Sequence, residues 1–280
     1  MNEKVMVGNV EIIALLDMVP PPRSPSDFFP DAPSDGWGIY EKDSVLDGGM
    51  IQLYYGCFLV RSSGKNVLVD TGIGPGPHAS RGNKKGNLLG DLQRFGVMPA
   101  DIDLVVHSHL HIDHVGWNLD LSTDPPIPFF PNARYLVPSV DWNYFTQPEN
   151  LKNAPWVGEN VIPLEKLSVM DLFEDGFNVT DEITSMITPG HTPGHMVFLI
   201  DSAGKKGAVI GDAIHNKVQI SEPSWCAGVD TDKLASENSR RELISRAVSG
   251  GYLIAAGHFH PDERFGRIIP SGGKHYWKGI

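Results

Sequence analysis

Cysteine is nearly absent from this chain: of 280 residues, only Cys57 and Cys226 carry a thiol. Two cysteines build neither a disulfide framework nor a thiolate metal cluster. Cys57, inside the apolar run 54–60, reads as a buried small hydrophobe. Basic charge is also scarce, with 23 Lys and Arg against 34 Asp and Glu for a net charge of -11. Such a surface repels phosphodiester backbones, whose binding needs cations to displace counterions, so no nucleic-acid partner is expected. No apolar run reaches the length of a membrane span, and Met1-Asn2-Glu3-Lys4 lacks the basic start of a signal peptide. The expectation is a cytoplasmic protein without a membrane partner.

What the chain does have is turns, with 30 glycines and 22 prolines, and an ordinary hydrophobic share of 41%. Short strands joined by loops suit that composition better than a helical bundle. Strand patterns fall at 10–17, 51–61, 66–70, 103–107, Arg134–Pro138, 183–188, 196–201, 207–211 and 252–256. A short helix is expected at 88–95, closed by Gly96, and another after Ser139 as cap. A longer helix is expected from a cap at Asp230 to about Val248. Strands cluster in each half with helices between and after them, the pattern of an α/β layered sandwich. Nothing divides the chain, so residues 1–280 read as a single domain. Residues 18–50 form a Pro-rich loop with Phe28, Phe29 and Trp37 embedded, long enough to suggest a cover over an active site.

The chemistry concentrates in His107-Ser108-His109-Leu110-His111-Ile112-Asp113-His114, at the end of an expected strand. Imidazole and carboxylate together suit zinc and neighbouring divalent ions. A solvated His-rich loop rarely combines a strand end with such ordered spacing. Four more segments place a ligand type after a strand: Asp70-Thr71-Gly72, the run from Thr188 to His195, Gly211-Asp212 and Gly257-His258.

This ordered set resembles the metallo-β-lactamase superfamily, whose pattern is H-x-H-x-D-H followed by separate His, Asp and His ligands. The resemblance spans nearly the whole chain. It implies a four-layer αβ/βα sandwich, two packed mixed β-sheets flanked by helices, and two divalent metal ions, with zinc first and manganese, cobalt or iron as alternatives. It further implies that His109, His111 and His191 hold the first metal, Asp113, His114 and His258 the second, and that Asp212 bridges them. Asp70 would orient the site from behind. His195, four residues after His191, is expected to be a buried structural residue, and His107 packed or hydrogen-bonded. His260 and His275 are expected at the surface, and His78 takes no role.

The activity so implied is hydrolysis by a metal-bridging hydroxide, with Asp113 or Asp212 shuttling a proton to the leaving group. Among branches, the N-acyl homoserine lactonases and the methyl parathion hydrolase group fit layout and length. Lactonases place a tyrosine three residues after the bridging aspartate; here that position is His215. The segments Val218-Gln219 and 250–256 look more like the methyl parathion hydrolase group. The expected substrate is a small lactone or carboxylic ester, with a phosphotriester as the alternative and non-catalytic metal binding as the reading from another class. Phe28, Phe29, Trp37, Trp142, Phe145 and Trp225 are the candidate pocket walls, His215 a candidate catalytic residue, and a homodimer is compatible with the sequence.

Overall fold

The computed structural model describes residues 3–40 and 48–280. Part of the Pro-rich segment, residues 41–47, therefore lies outside the described residues. Seven strands form the first sheet in chain order: β1 (Lys4–Val7), β2 (Val10–Met18), β3 (Tyr55–Ser62), β4 (Lys65–Val69), β5 (Leu104–Val106), β6 (Arg134–Pro138) and β7 (Met170–Phe173). β1 to β4 are antiparallel neighbours, and β4 to β7 run parallel. The second sheet repeats this in-order layout with β8 (Asn178–Thr180), β9 (Ile183–Ile187), β10 (Met196–Ser202), β11 (Lys205–Val209), β12 (Leu253–Ala255), β13 (Phe265–Ser271) and β14 (Lys274–Gly279). Only the β11–β12 pair is parallel there.

Because strand side chains alternate faces, a strand covered on both sides is apolar at every position. Val67 and Val69 enter the core between the sheets while Leu68 turns outward, and Ile12 and Ala14 alternate likewise with Ile13 and Leu15. From the second sheet Phe198, Ile200, Val209 and Phe265 meet that shared core. The outer face of the first sheet is covered by Leu88 and Leu92 of the helix Leu88–Arg94 and by Leu164 of the helix Ile162–Lys166. Leu243, Ile244 and Ala247 of the helix Lys233–Gly250 cover the second sheet. The four-layer sandwich expected from sequence is the one observed.

Several local expectations need correction. Ser139 is the first residue of its helix and caps nothing. Asp232 caps the long helix by accepting the Ala235 N–H, because Asp230 is buried elsewhere. Residues 51–54 leave the first sheet before β3, and Ile51 instead bridges to Arg23. The unanticipated strands β1, β7, β8, β13 and β14 lie toward sheet edges, where partly exposed side chains blur the alternation.

Candidate metal centre

The strand ends converge on one rim. β4 runs into Asp70, β5 into 107–114, β9 into the turn holding His191, β11 into Asp212 and β12 into His258. Two backbone features fix this rim. Asp70 adopts a left-handed φ of 62°, which costs a non-glycine residue about 1 kcal/mol or more. The strain sets its carboxylate to accept from the Ser108 N–H and hydroxyl, both at 2.8 Å, and to pair with His114 Nδ1 at 2.9 Å. Gly190, at φ 132°, passes so close to the long helix that a Cβ would fall 2.0 Å from the Ser236 nitrogen.

Three imidazole nitrogens meet at the centre. His109 Nε2 lies 3.1 Å from His111 Nδ1 and 3.2 Å from His191 Nε2, and the latter pair are 2.9 Å apart. Ligands at ~2.0–2.1 Å on a tetrahedral zinc stand about 3.3 Å from one another, so this triangle matches a shared ion. A second group gathers Asp113, His114 and His258. Asp212 stands between the two. Its Oδ2 is 3.2 Å from His191 Nε2, and its Oδ1 is 3.3 Å from His114 Nε2 and 3.0 Å from His258 Nε2.

The far nitrogens show which atoms are meant for the centre. His191 Nδ1 pairs with Asp230 Oδ1 at 2.8 Å, and His258 Nδ1 donates to the Tyr54 carbonyl at 2.8 Å. His109 Nδ1 is tied to the Ser108 hydroxyl at 3.0 Å. Each contact places the proton away from the centre and leaves a lone pair facing it. His114 Nε2 is buried with no hydrogen-bond partner among the described residues, an orphaned atom that a cation would satisfy. The donor set therefore fits two divalent ions.

Electrostatics agree. Burial pushes His111 down to about 3, so its lone pair is free. Burial opposes charge on His191 too, but Asp212 and Asp230 outweigh it and raise this group to about 9. A metal displaces that proton, which makes uptake weaker in acid.

His195 is buried, with Nδ1 2.7 Å from the Thr188 hydroxyl and Nε2 accepting the Asp212 N–H at 2.9 Å. It braces the Asp212 backbone. His107 is buried against Asn118, His260 is exposed, and His275 is half-buried at the edge strand β14. The model of the metallo-beta-lactamase superfamily matches residues 54–258, most of the chain.

The chain belongs to the metallo-beta-lactamase superfamily.

Within this superfamily it is 25% identical over 245 residues to an N-acyl homoserine lactonase of Bacillus cereus, covering 81% of this chain and 90% of that protein. It is 29% identical over 183 residues to the N-acyl homoserine lactonase AttM of Agrobacterium fabrum, covering 63% of this chain and 65% of that one. Among solved structures, the hydrolase AbOPH of the beta lactamase superfamily superposes with a TM-score of 0.85 at 25% identity, over 99% of this chain and 96% of that one. AidC, a dizinc quorum-quenching lactonase in complex with a product N-hexnoyl-L-homoserine, superposes at 0.82 with 22% identity over the same shares, a likeness of fold.

A cavity of about 360 Å³ opens on this rim. Phe28, from the short helix Pro25–Phe28 that Ser24 caps, lines it with His111, Asp113, His191, Asp212, His215 and His258. Of the six expected wall residues only Phe28 does so. Phe29, Trp37 and Trp225 pack behind it in one cluster, and Trp142 and Phe145 belong to a cluster with Val157 and Leu110. The remaining wall, Arg23, Leu53, Tyr55, Ser80, Arg81, Ile112, Trp156 and Val229, went unread because no local spacing marks it. Asp230 was missed likewise, standing 39 residues from the histidine it holds. Among the described residues, no helix is long and apolar enough to cross a membrane.

Proposed function

We propose that this chain is a binuclear metal-dependent hydrolase that opens lactones or cleaves carboxylic esters of small organic molecules. The observation that carries the reading is the Asp212 carboxylate between two groups of converging imidazoles, both at the floor of one cavity. His109, His111 and His191 would hold one ion, Asp113, His114 and His258 the other, with Asp212 shared and Asp70 orienting His114 from behind. An all-protein structural zinc closes at four ligands, whereas a shared pair beside a cavity leaves room for a substrate. Two divalent ions so bound lower the pKa of a water toward neutrality and polarise the scissile group. Zinc is the first choice for this donor set, with manganese, cobalt or iron also compatible.

Asp113 and Asp212 both line the cavity, and either would pass a proton to the leaving oxygen. His215 lines the same cavity, 3.2 Å from Asp212 Oδ2, yet both of its ring nitrogens are buried without a hydrogen-bond partner among the described residues. Burial lowers its pKa against the opposing Asp212 charge and keeps the ring neutral, able to offer an N–H to a substrate carbonyl. The 3.2 Å contact with Asp212 equally lets His215 fix that carboxylate, and His215→Phe separates the two roles by turnover and metal content. We read residues 1–280 as one cytoplasmic domain, compatible with a homodimer, acting on a small molecule and not on nucleic acid. From the described part of the Pro-rich segment, Arg23 and Phe28 reach the cavity wall, which supports reading that segment as a cover.

A panel of lactones, aryl esters and phosphotriesters, assayed with zinc, manganese and cobalt, tests the proposal. Turnover of lactones or esters supports it. Turnover confined to phosphotriesters would move the assignment to that class, and metal binding without turnover of any would overturn hydrolysis.

A further inference from the structure

The cavity wall carries a phenol that neither metal group employs. Tyr55 opens β3, is only 5% exposed, and meets the His258 ring edge-on with centroids 6.0 Å apart. With Met18 and Ile73 it packs against Ile112, the residue before Asp113, which fixes the ring beside the second metal group. Arg81 Nε donates to its oxygen at 2.7 Å, and Arg81 itself lines the cavity. Among the described residues no acceptor for the phenol's own proton is present. A phenol that accepts one hydrogen bond still has its O–H to give. A phenol ordinarily titrates at ~10, so that proton is retained at neutral pH.

We propose that Tyr55, held by Arg81, donates a hydrogen bond to the substrate oxygen on which negative charge develops as the scissile bond is attacked. Tyr55 is then a catalytic residue and Arg81 its positioning residue. The inference rests on the hydrolase reading above. Arg81 satisfies the hydroxyl oxygen, but the O–H itself has no acceptor among the described residues, and a buried donor left unpaired is costly unless a substrate supplies one. The guanidinium adds to this by polarising the phenol, since hydrogen bonds involving a charged group are the stronger ones.

The experiment compares wild type, Tyr55→Phe and Arg81→Met, all loaded with zinc. Tyr55→Phe keeps the ring and should lower kcat on the best substrate of the panel by about 10²-fold, the typical loss for one such donor. KM should change little, as expected for a contact made mainly in the transition state, and zinc content should equal that of wild type. Affinity for a methylphosphonate monoester, a stable mimic of the attacked centre, should fall in parallel. Arg81→Met, which leaves the phenol in place, should lose less of both. Wild-type kcat and phosphonate affinity in Tyr55→Phe would overturn the proposal, as would a rate loss matched by zinc loss. If wild type turned over no panel substrate the hydrolase reading would fail, and the phosphonate comparison would still decide the role of Tyr55.

Discussion

Asp230→Ala should weaken the metal centre without removing any atom that faces it. Asp230 accepts from Ser236 at 2.9 Å and from the Ala227 N–H at 3.1 Å, pairs with His191 Nδ1 at 2.8 Å, and lies 3.6 Å from the Arg240 guanidinium. Arg240 is fully buried. Removing one member of a buried ion pair costs about 3–5 kcal/mol. The lower end applies, about 3 kcal/mol, because Arg240 keeps the Ala213 and Pro223 carbonyls and the Ser236 hydroxyl. For a chain of this size that lowers Tm by roughly 6–12 °C. Loss of the partner that orients a ligating histidine typically costs 10–100-fold in metal affinity. Competition with a chromophoric chelator gives the zinc affinity, and thermal unfolding followed by circular dichroism gives Tm. Wild-type zinc affinity in the variant would refute the claim that Asp230 sets the His191 lone pair.

Two further outcomes follow from the same geometry. His215→Phe should lose about 10²–10³ in turnover with metal content unchanged, measured by steady-state kinetics beside elemental analysis; loss of metal would instead make His215 part of the ion-holding set. Turnover of the zinc enzyme should fall as pH is lowered, because protons compete with zinc for the ligating imidazoles, His191 above all, whose metal-free pKa is raised to about 9, and a profile flat from alkaline to acid pH would contradict the requirement for deprotonated ligands.

The layered fold and the converging His and Asp residues were legible because each signal is local. His109, His111, Asp113 and His114 sit within six residues, and Asp212 and His258 each follow an apolar strand that reads plainly. The cavity wall was not legible for the opposite reason. Trp156 and Val229 reach it from loops and short helices whose placement is set by packing, and no periodicity reports it. The Pro-rich segment shows both sides. Its three aromatics were expected as pocket walls, but Phe29 packs on Trp37 and Trp37 on Trp225, leaving Phe28 to meet His215 at 5.3 Å. Asp230 was misread as a helix cap because an aspartate before a helical stretch is a common cap. Two residues on, Asp232 meets the same description and takes the role.

The central claim is that two ions, bridged by Asp212, make this chain a hydrolase. It is tested most directly by stripping the protein of metal and following hydrolysis of its best lactone or ester while zinc is added back. Activity should rise from near zero and level off at two equivalents per chain, and Asp212→Ala should show neither the rise nor the two-ion stoichiometry. Full activity at one equivalent, or activity that persists without metal, would contradict the account.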